Sequence, residues 1–309
     1  MEFILGVDPK QEDDGRPLPV SAFNKAWNSA LISMGLRLLL EGSGWMLPKA
    51  QYVKASAKLH SFVDFAIGQS KARNLKSTPR TKGEKKAVVD AVIPQARDDV
   101  DARWQLMEIL LANQDTTATL VCNTIQILAL NPDVWEQLRA EVMGKGPDFM
   151  TFDGLRGSRL LNNILMEALR VRPVFPIVGR RALCDLTLPT GGGPNGDQPL
   201  HCPAGTNSLV NFWSMNLNSD VFGPDAHAFK PERWDKIRPS PREFSAFGMG
   251  GRSCLGKEKA LADASYLLAR LAQKFEGLEG SAEFKPAAQL SMRNAAGYKI
   301  AFHTGKEDS

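Results

Sequence analysis

The sequence predicts a mainly α fold with minor β, and three observations carry that expectation. Long stretches of the first half place apolar residues at helical spacing, and one run from Asp98 to Leu130 contains neither Gly nor Pro. After Pro173 the pattern changes to short apolar pieces separated by Pro and Gly clusters.

Helices open the chain. Ser21 to Leu40 sets Phe23, Trp27, Leu31, Met34 and Leu38 on one helical face, until Gly42-Ser43-Gly44 breaks it. A second helix is predicted from Ala50 to Ile67, with Leu59, Phe62, Val63 and Ala66 sharing a face. Lys71 to Lys86 holds seven Lys or Arg against one Glu, with Pro79 and Gly83 as breakers, and reads as a solvated loop. Asp98 to Leu130 is long enough to run the width of a domain. Asn131 is a suitable N-cap and Pro132 a suitable first residue for the next helix, to Met143. Ser158 can cap a further helix whose face is Leu161, Ile164, Leu165 and Leu169, ending before Pro173. Helix returns from Gly256 to Phe275, with Leu261, Leu268, Leu271 and Phe275 inward, and the tail from Gln289 to His303 suggests a terminal hairpin.

Composition narrows the function. At 309 residues and 43% hydrophobic content the chain can bury a sizeable core, and a single domain over 1–309 is expected. A formal net charge of +4 is too small to argue for nucleic acid, so no nucleic-acid partner is expected. Cys122, Cys184, Cys202 and Cys254 form no CxxC pair and no disulfide scaffold, which leaves thiols free for chemistry. His60, His201, His227 and His303 are scattered, which argues against a His-built zinc or non-haem iron site. No run of 18 apolar residues is present, and the start, Met-Glu-Phe-Ile-Leu-Gly, has no basic segment of the kind that opens a signal peptide. Its abrupt hydrophobic opening reads like the middle of a fold.

The strongest chemical signal is Phe247-Gly248-Met249-Gly250-Gly251-Arg252-Ser253-Cys254-Leu255-Gly256. Glycines let backbone approach a flat ligand closely, and the cysteine is presented at the mouth of a helix, where a thiolate is favoured. Arg252 adds a positive charge that can pair with an anionic group. The spacing F-x-x-G-x-R-x-C-x-G resembles, at every fixed position, the cysteine-ligand loop of the cytochrome P-450 family. Three further stretches resemble that family in the right order. Glu167-Ala168-Leu169-Arg170 is similar to its E-x-x-R helix, and Phe229-Lys230-Pro231-Glu232-Arg233-Trp234 to its F-x-P-E-R-F/W segment. Ala112-Asn113-Gln114-Asp115-Thr116-Thr117 resembles its oxygen-activation stretch, with Asn113 where the family usually has Gly.

The resemblance implies a cytochrome P-450 fold and haem b, with Cys254 as the axial metal ligand and Phe247, Gly250, Arg252 and Gly256 around it. It implies a structural triad of Glu167, Arg170 and Arg233, and proton delivery by Asp115 and Thr116. Pro176-Ile-Val-Gly-Arg180-Arg181-Ala182 is similar to the family's P-x-x-x-R-x-A stretch, which makes Arg180 a candidate propionate contact with Arg181 as its rival. The implied activity is a haem-thiolate monooxygenase that inserts one oxygen atom from O₂ into an apolar substrate. Its electrons come from NADPH through a cytochrome P-450 reductase that docks where Arg252, Lys257 and Lys259 supply positive charge. Asp185 to Gly196 and the approach from Arg103 to Ala112 resemble the fungal alkane and fatty-acid hydroxylase branch, to which fungal biosynthetic enzymes are related. Family members associate with the endoplasmic reticulum membrane and are longer at the N-terminus. Their anchor, first sheet and early W-x-x-x-R helix have no counterpart in this chain, and Trp135 to Arg139 fits those letters in the wrong place. A non-catalytic remnant and a haem-thiolate isomerase or dehydratase are the rival readings.

Overall fold

The computed structural model describes residues 1–11, 14–75, 86–288 and 291–305. Two compact units emerge, Met1–Asp115 and Thr116–Ser309.

The first unit contains α1 (Glu2–Leu5), α2 (Val20–Leu39), α3 (Ala50–Leu75), α4 (Val88–Val92) and the first half of the long helix α5 (Asp99–Ala129). Apolar residues three and four apart on one helix stack along one face, and the core is built in that way. Phe23 and Trp27 of α2 meet Leu59, Phe62, Val63 and Ala66 of α3, all buried. The Phe23 and Phe62 rings lie 4.8 Å apart and tilted by 50°, a geometry aromatic pairs favour. Helix α3 runs a further two turns past its expected end at Ile67, so the basic stretch from Lys71 begins as helix. The remainder of that stretch, 76–85, lies outside the described residues.

The second unit begins with the rest of α5, then α6 (Pro132–Gly144), α7 (Phe152–Arg156) and α8 (Arg159–Val171). Four strands follow, β1 (Ile177–Arg181), β2 (Leu186–Gly192), β3 (Gln198–Cys202) and β4 (Asn207–Asn211). Short helices α9 (Phe212–Asn216), α10 (Ser219–Phe222) and α11 (Arg233–Lys236) lead to α12 (Lys257–Lys274). The chain then forms β5 (Gly277–Gly280), β6 (Pro286–Ala288), β7 (Met292–Asn294) and β8 (Ile300–His303). All described strands pair antiparallel in twos: β1 with β4, β2 with β3, β5 with β8 and β6 with β7. The fold is mainly α with minor β.

Two expectations need correction. The tail is no hairpin of its own, because β7 and β8 pair with β6 and β5 and not with each other. Alternation marks a strand but does not choose its partner. At the start of α6, Pro132 does occupy the first turn, but Asn131 makes no side-chain cap. Its amide nitrogen instead donates to the Ile127 carbonyl at 2.7 Å, closing the end of α5. Ser158, by contrast, accepts from the Leu161 N–H at 3.2 Å and caps α8.

Two sets of contacts hold α12 and α5 in place. On α12, Ala264, Leu268 and Ala272 are buried one turn apart, and small side chains there let α6 approach closely. Trp135 of α6 donates its indole N–H to the Glu276 carbonyl at 3.1 Å, and Arg139 Nη1 donates to the Ala272 carbonyl at 2.8 Å. Arg139 thus satisfies a carbonyl in the last turn of α12, and Trp135 holds the chain just beyond it. On the second half of α5, Thr119, Asn123 and Gln126 form a buried polar stripe. Thr119 Oγ1 meets Ser291 Oγ at 2.8 Å, Asn123 Oδ1 accepts from the Tyr298 hydroxyl at 2.7 Å, and Gln126 Nε2 donates to the carbonyls of Ser281 and Glu283.

Among the described residues no helix is long and apolar enough to cross a membrane.

Candidate functional site

The loop before α12 is shaped by its glycines. Gly248 and Gly250 take φ of +69° and +66°, a region that L side chains enter only with strain. From Gly250 the chain turns through a short 3-10 segment, Gly250–Arg252, and the Cys254 N–H donates back to the Phe247 carbonyl at 2.8 Å. Phe247 packs half-buried against the core, with Lys257 Nζ 5.9 Å from its ring centroid. Gly256 is the N-cap of α12, so Cys254 stands just ahead of the positive end of an 18-residue helix. The Cys254 thiol is free and exposed, as are Arg252 and Leu255.

The second unit also holds a buried ion cluster. Glu167 and Arg170 of α8 are fully buried and paired twice, Nε to Oε2 at 2.8 Å and Nη2 to Oε1 at 2.7 Å. Arg233 at the start of α11 reaches Glu167 Oε1 at 3.4 Å. The structure therefore brings Glu167, Arg170 and Arg233 together. The remaining donors of Arg170 are spent on backbone: Nη1 on the carbonyls of Asn216 and Ala226, and Nη2 on that of Ala228. A buried charge pair is tolerated only when its other hydrogen-bonding positions are filled, and here they are. The cluster ties α8 to the irregular segment between α9 and α11.

Several partners in this cluster were not visible in the motif letters. Trp234 Nε1 donates to Glu167 Oε2 at 3.0 Å, and the Lys230 N–H donates to Oε1 at 3.0 Å. Asp225 pairs with Arg233 Nη1 at 2.9 Å and Lys230 Nζ at 2.6 Å. The Lys230 ammonium, then the Arg233 guanidinium, hold the Asp225 carboxyl down to about 2. Only the spacing of F-x-P-E-R-W pointed toward Trp234 and Lys230, and nothing in sequence pointed to Asp225.

The other candidates lie on α5 and β1. Asp115 is buried and Thr116 half-buried on α5, so this stretch is not the exposed polar face that Asp-Thr-Thr alone would suggest. Arg180 lies exposed on β1, with Nη1 on the Gly179 carbonyl at 2.8 Å, while Arg181 lies beside Gly205.

Comparison with known proteins decides the family. The family model described as Cytochrome P450 matches residues 12–301. The chain belongs to the cytochrome P450 family. It is 32% identical over 298 residues to Cytochrome P450 52E1 of Candida apicola, an alignment covering 90% of this chain and 56% of that protein. It is 33% identical over 294 residues to Cytochrome P450 52A12 of Debaryomyces hansenii, covering 91% and 56%. With Cytochrome P450 monooxygenase himC of Aspergillus japonicus the identity is 39% over 209 residues, covering 66% of this chain and 37% of the relative. The chain thus spans about half the length of the curated relatives it matches.

Membership in this P450 family implies haem held by a cysteine thiolate. The residues of the loop fit such a group. Cys254 offers a free, exposed thiol, and a Cβ built on Gly250 or Gly251 would meet nothing within 4 Å, so the adjoining face is open to a flat ring.

Proposed function

We propose that this chain is the haem-binding portion of a single cytochrome P450 domain, and that the protein is a monooxygenase acting on an apolar small molecule. The observation that carries the proposal is the free Cys254 thiol on a glycine-shaped loop at the N-terminus of α12. Bound haem supplies the activation of O₂, by which one oxygen atom enters a C–H bond and the other leaves as water, with two electrons and two protons consumed.

The chain's own residues do the rest. Cys254 would hold the iron as the thiolate that membership in the family implies. Phe247, Gly250 and Gly256 keep the loop thin on the haem side, and Arg252 and Arg180 offer positive charge to the anionic propionates. Glu167, Arg170 and Arg233 fix the segment that leads into the loop and take no part in proton transfer. Asp115 supplies a carboxylate to the proton relay and the Thr116 hydroxyl orients it. Electrons come from NADPH through a cytochrome P-450 reductase, whose acidic face suits the exposed Arg252 and Lys257. The resemblance to the fungal alkane and fatty-acid hydroxylase branch favours a long-chain alkane or fatty acid as substrate, with a fungal secondary metabolite as the alternative. By the same similarity the site of action is the endoplasmic reticulum membrane.

The test is the absorption spectrum of the reduced, carbon-monoxide-bound protein, whose Soret position reports thiolate ligation. Cys254→Ala is expected to abolish the thiolate-type Soret band, and Cys122→Ala, Cys184→Ala and Cys202→Ala to retain it. A thiolate band that survives in Cys254→Ala rejects the assignment. A haem-free wild-type chain would favour the non-catalytic reading.

A further inference from the structure

A cavity of about 280 Å³ opens between α7, α8 and α12 of the second unit. Its walls are largely apolar: Phe152 of α7, Met166 of α8, and Leu261 and Ala262 of α12. Phe152 is 52% exposed, which leaves an aromatic ring free at the mouth. Ser265 lines the same cavity one turn beyond Leu261, yet it is only 4% exposed. A mid-helix hydroxyl usually turns back to the carbonyl four residues earlier, as Thr124 does to Leu120 at 2.8 Å. Among the described residues the Ser265 hydroxyl has no such bond and no other hydrogen-bond partner. A buried hydroxyl left unpaired is costly, so this one calls for a polar atom inside the cavity.

The rim is cationic. Lys257 is exposed and has no carboxylate partner among the described residues. Arg156 reaches Glu258 at 3.7 Å, with both side chains largely in water, so that pairing holds it weakly. Asn162 adds no donor, because its amide nitrogen is spent on the carbonyls of Arg156 and Ser158, each at 2.8 Å. Gly256 brings no side chain to cap α12, so the positive end of this 18-residue helix adds to the rim. Two cations and a helix end against one carboxylate favour an anion.

Three demands therefore meet in one small space: an apolar body, a polar atom for Ser265 and a negative charge at the mouth. We propose that this cavity binds a small phenolic carboxylate. Its ring lies against Phe152, Met166 and Leu261, contacts that suit an aromatic face and a thioether. Its ring hydroxyl meets the Ser265 hydroxyl, and its carboxylate lies against Arg156 and Lys257. Water alone would satisfy Ser265 but leave the apolar walls unused. A simple fatty acid would leave Ser265 unpaired, and an amine would oppose both cations. The site draws on neither Cys254 nor haem, so it stands or falls independently of the monooxygenase reading.

Titration of the 309-residue chain with 4-hydroxyphenylacetate, phenylacetate and tyramine, read by ligand-observed saturation-transfer NMR, tests it. The first should bind most tightly. Phenylacetate lacks the ring hydroxyl and tyramine reverses the charge, and each should bind on the order of tenfold more weakly. Ser265→Ala should weaken 4-hydroxyphenylacetate by a similar factor and leave phenylacetate nearly unchanged, which isolates the pairing of the two hydroxyls. Arg156→Glu should abolish the preference over tyramine. Ala262→Phe, which fills the cavity, should remove binding of all three, with circular dichroism to check that α12 persists. Cys254→Ala should bind like the wild type, with or without added haem. Equal binding of tyramine overturns the proposal, as does an unchanged affinity for 4-hydroxyphenylacetate in Ser265→Ala. Loss of binding in Cys254→Ala would place the ligand at the haem site and overturn it as well. A chain that shows no binding at millimolar ligand holds only water in this cavity, and the proposal then fails.

Discussion

At the scale of single residues, the ion cluster around Glu167 shows how neighbours decide what a charge contributes. Arg170 is fully buried and each described nitrogen contact ends on an oxygen, whereas Asp225 sits at the edge with a partly exposed side chain. The Lys230 and Arg233 cations hold the Asp225 carboxyl at about 2, below the ordinary value of about 4 for an unfolded chain. A depressed folded-state value means that the unfolded chain takes up its proton first as pH falls. The stabilisation is therefore complete above about pH 4 and disappears as pH falls to about 2. Asp225→Asn should accordingly unfold at lower urea than the wild type at neutral pH, and the gap between their midpoints should close across that acid window. A gap that stays constant down to the lower limit would show that Asp225 acts through its hydrogen bonds and not its charge. This residue also marks where sequence reading stops. The spacing of Glu167, Arg170 and Arg233 matches a family pattern and the structure brings the three together, while Cys254 was singled out by the five fixed positions of a ten-residue pattern. Asp225 stands in no pattern, and only the fold carries it to Arg233.

At the scale of elements, periodicity located helices well and partners poorly. The bounds expected for α2, α5 and α8 differ from those observed by two residues or fewer, because an apolar face repeats in the chain itself. Asn131 has the chemistry of a cap, but its amide also reaches the Ile127 carbonyl, and a cap and a closing bond compete for the same side chain. The tail strands alternate, and the polar stripe on α5 holds the segments around them at Ser281, Glu283, Ser291 and Tyr298. Gln126 is fully buried there: its nitrogen holds the carbonyls of Ser281 and Glu283, and its oxygen accepts from Arg172 Nη1 at 2.8 Å. Burial pushes the Arg172 guanidinium down, so it is a cation that depends on this acceptor and on the Phe284 ring, 4.1 Å away. Gln126→Leu keeps the volume roughly constant and removes the acceptor of Arg172 Nη1 and the donor to the Ser281 carbonyl, whereas the Glu283 carbonyl keeps its bond from Asn294 Nδ2 at 2.8 Å. The expected cost is ~1–3 kcal/mol for each buried group left unpaired. Urea unfolding should show it, and hydrogen exchange should show β6 and β7 losing protection before α8 does. Uniform loss across the second unit would mean that Gln126 serves packing alone.

At the scale of the whole molecule, the question is how well this chain holds haem with the surfaces it presents. Strands β1 and β4 pair only with each other among the described residues, and they carry Ile177, Leu209 and Val210 exposed. Leu183 and Leu255 are almost wholly in solvent, at 93% and 104%, and Leu255 is the residue next to the proposed iron ligand. Apolar surface of this extent invites association. Propionate anchoring has two arginines to draw on, Arg252 and Arg180, both exposed to water. A charge-assisted partner contributes about 1.5–3 kcal/mol, or roughly one to two decades in affinity, and less where water screens it. The 309-residue chain is therefore expected to take up less than one haem per polypeptide, to aggregate readily and to turn over slowly with a matched reductase. A relative of about twice its length, such as the Candida apicola protein, expressed and purified alongside it, should be fully loaded. Haem per chain from pyridine haemochrome absorbance, aggregation from light scattering and product per NADPH consumed make the comparison. Equal loading and equal solubility would show that the exposed faces of β1, β4 and the Cys254 loop need no covering, and that two arginines suffice to hold the propionates.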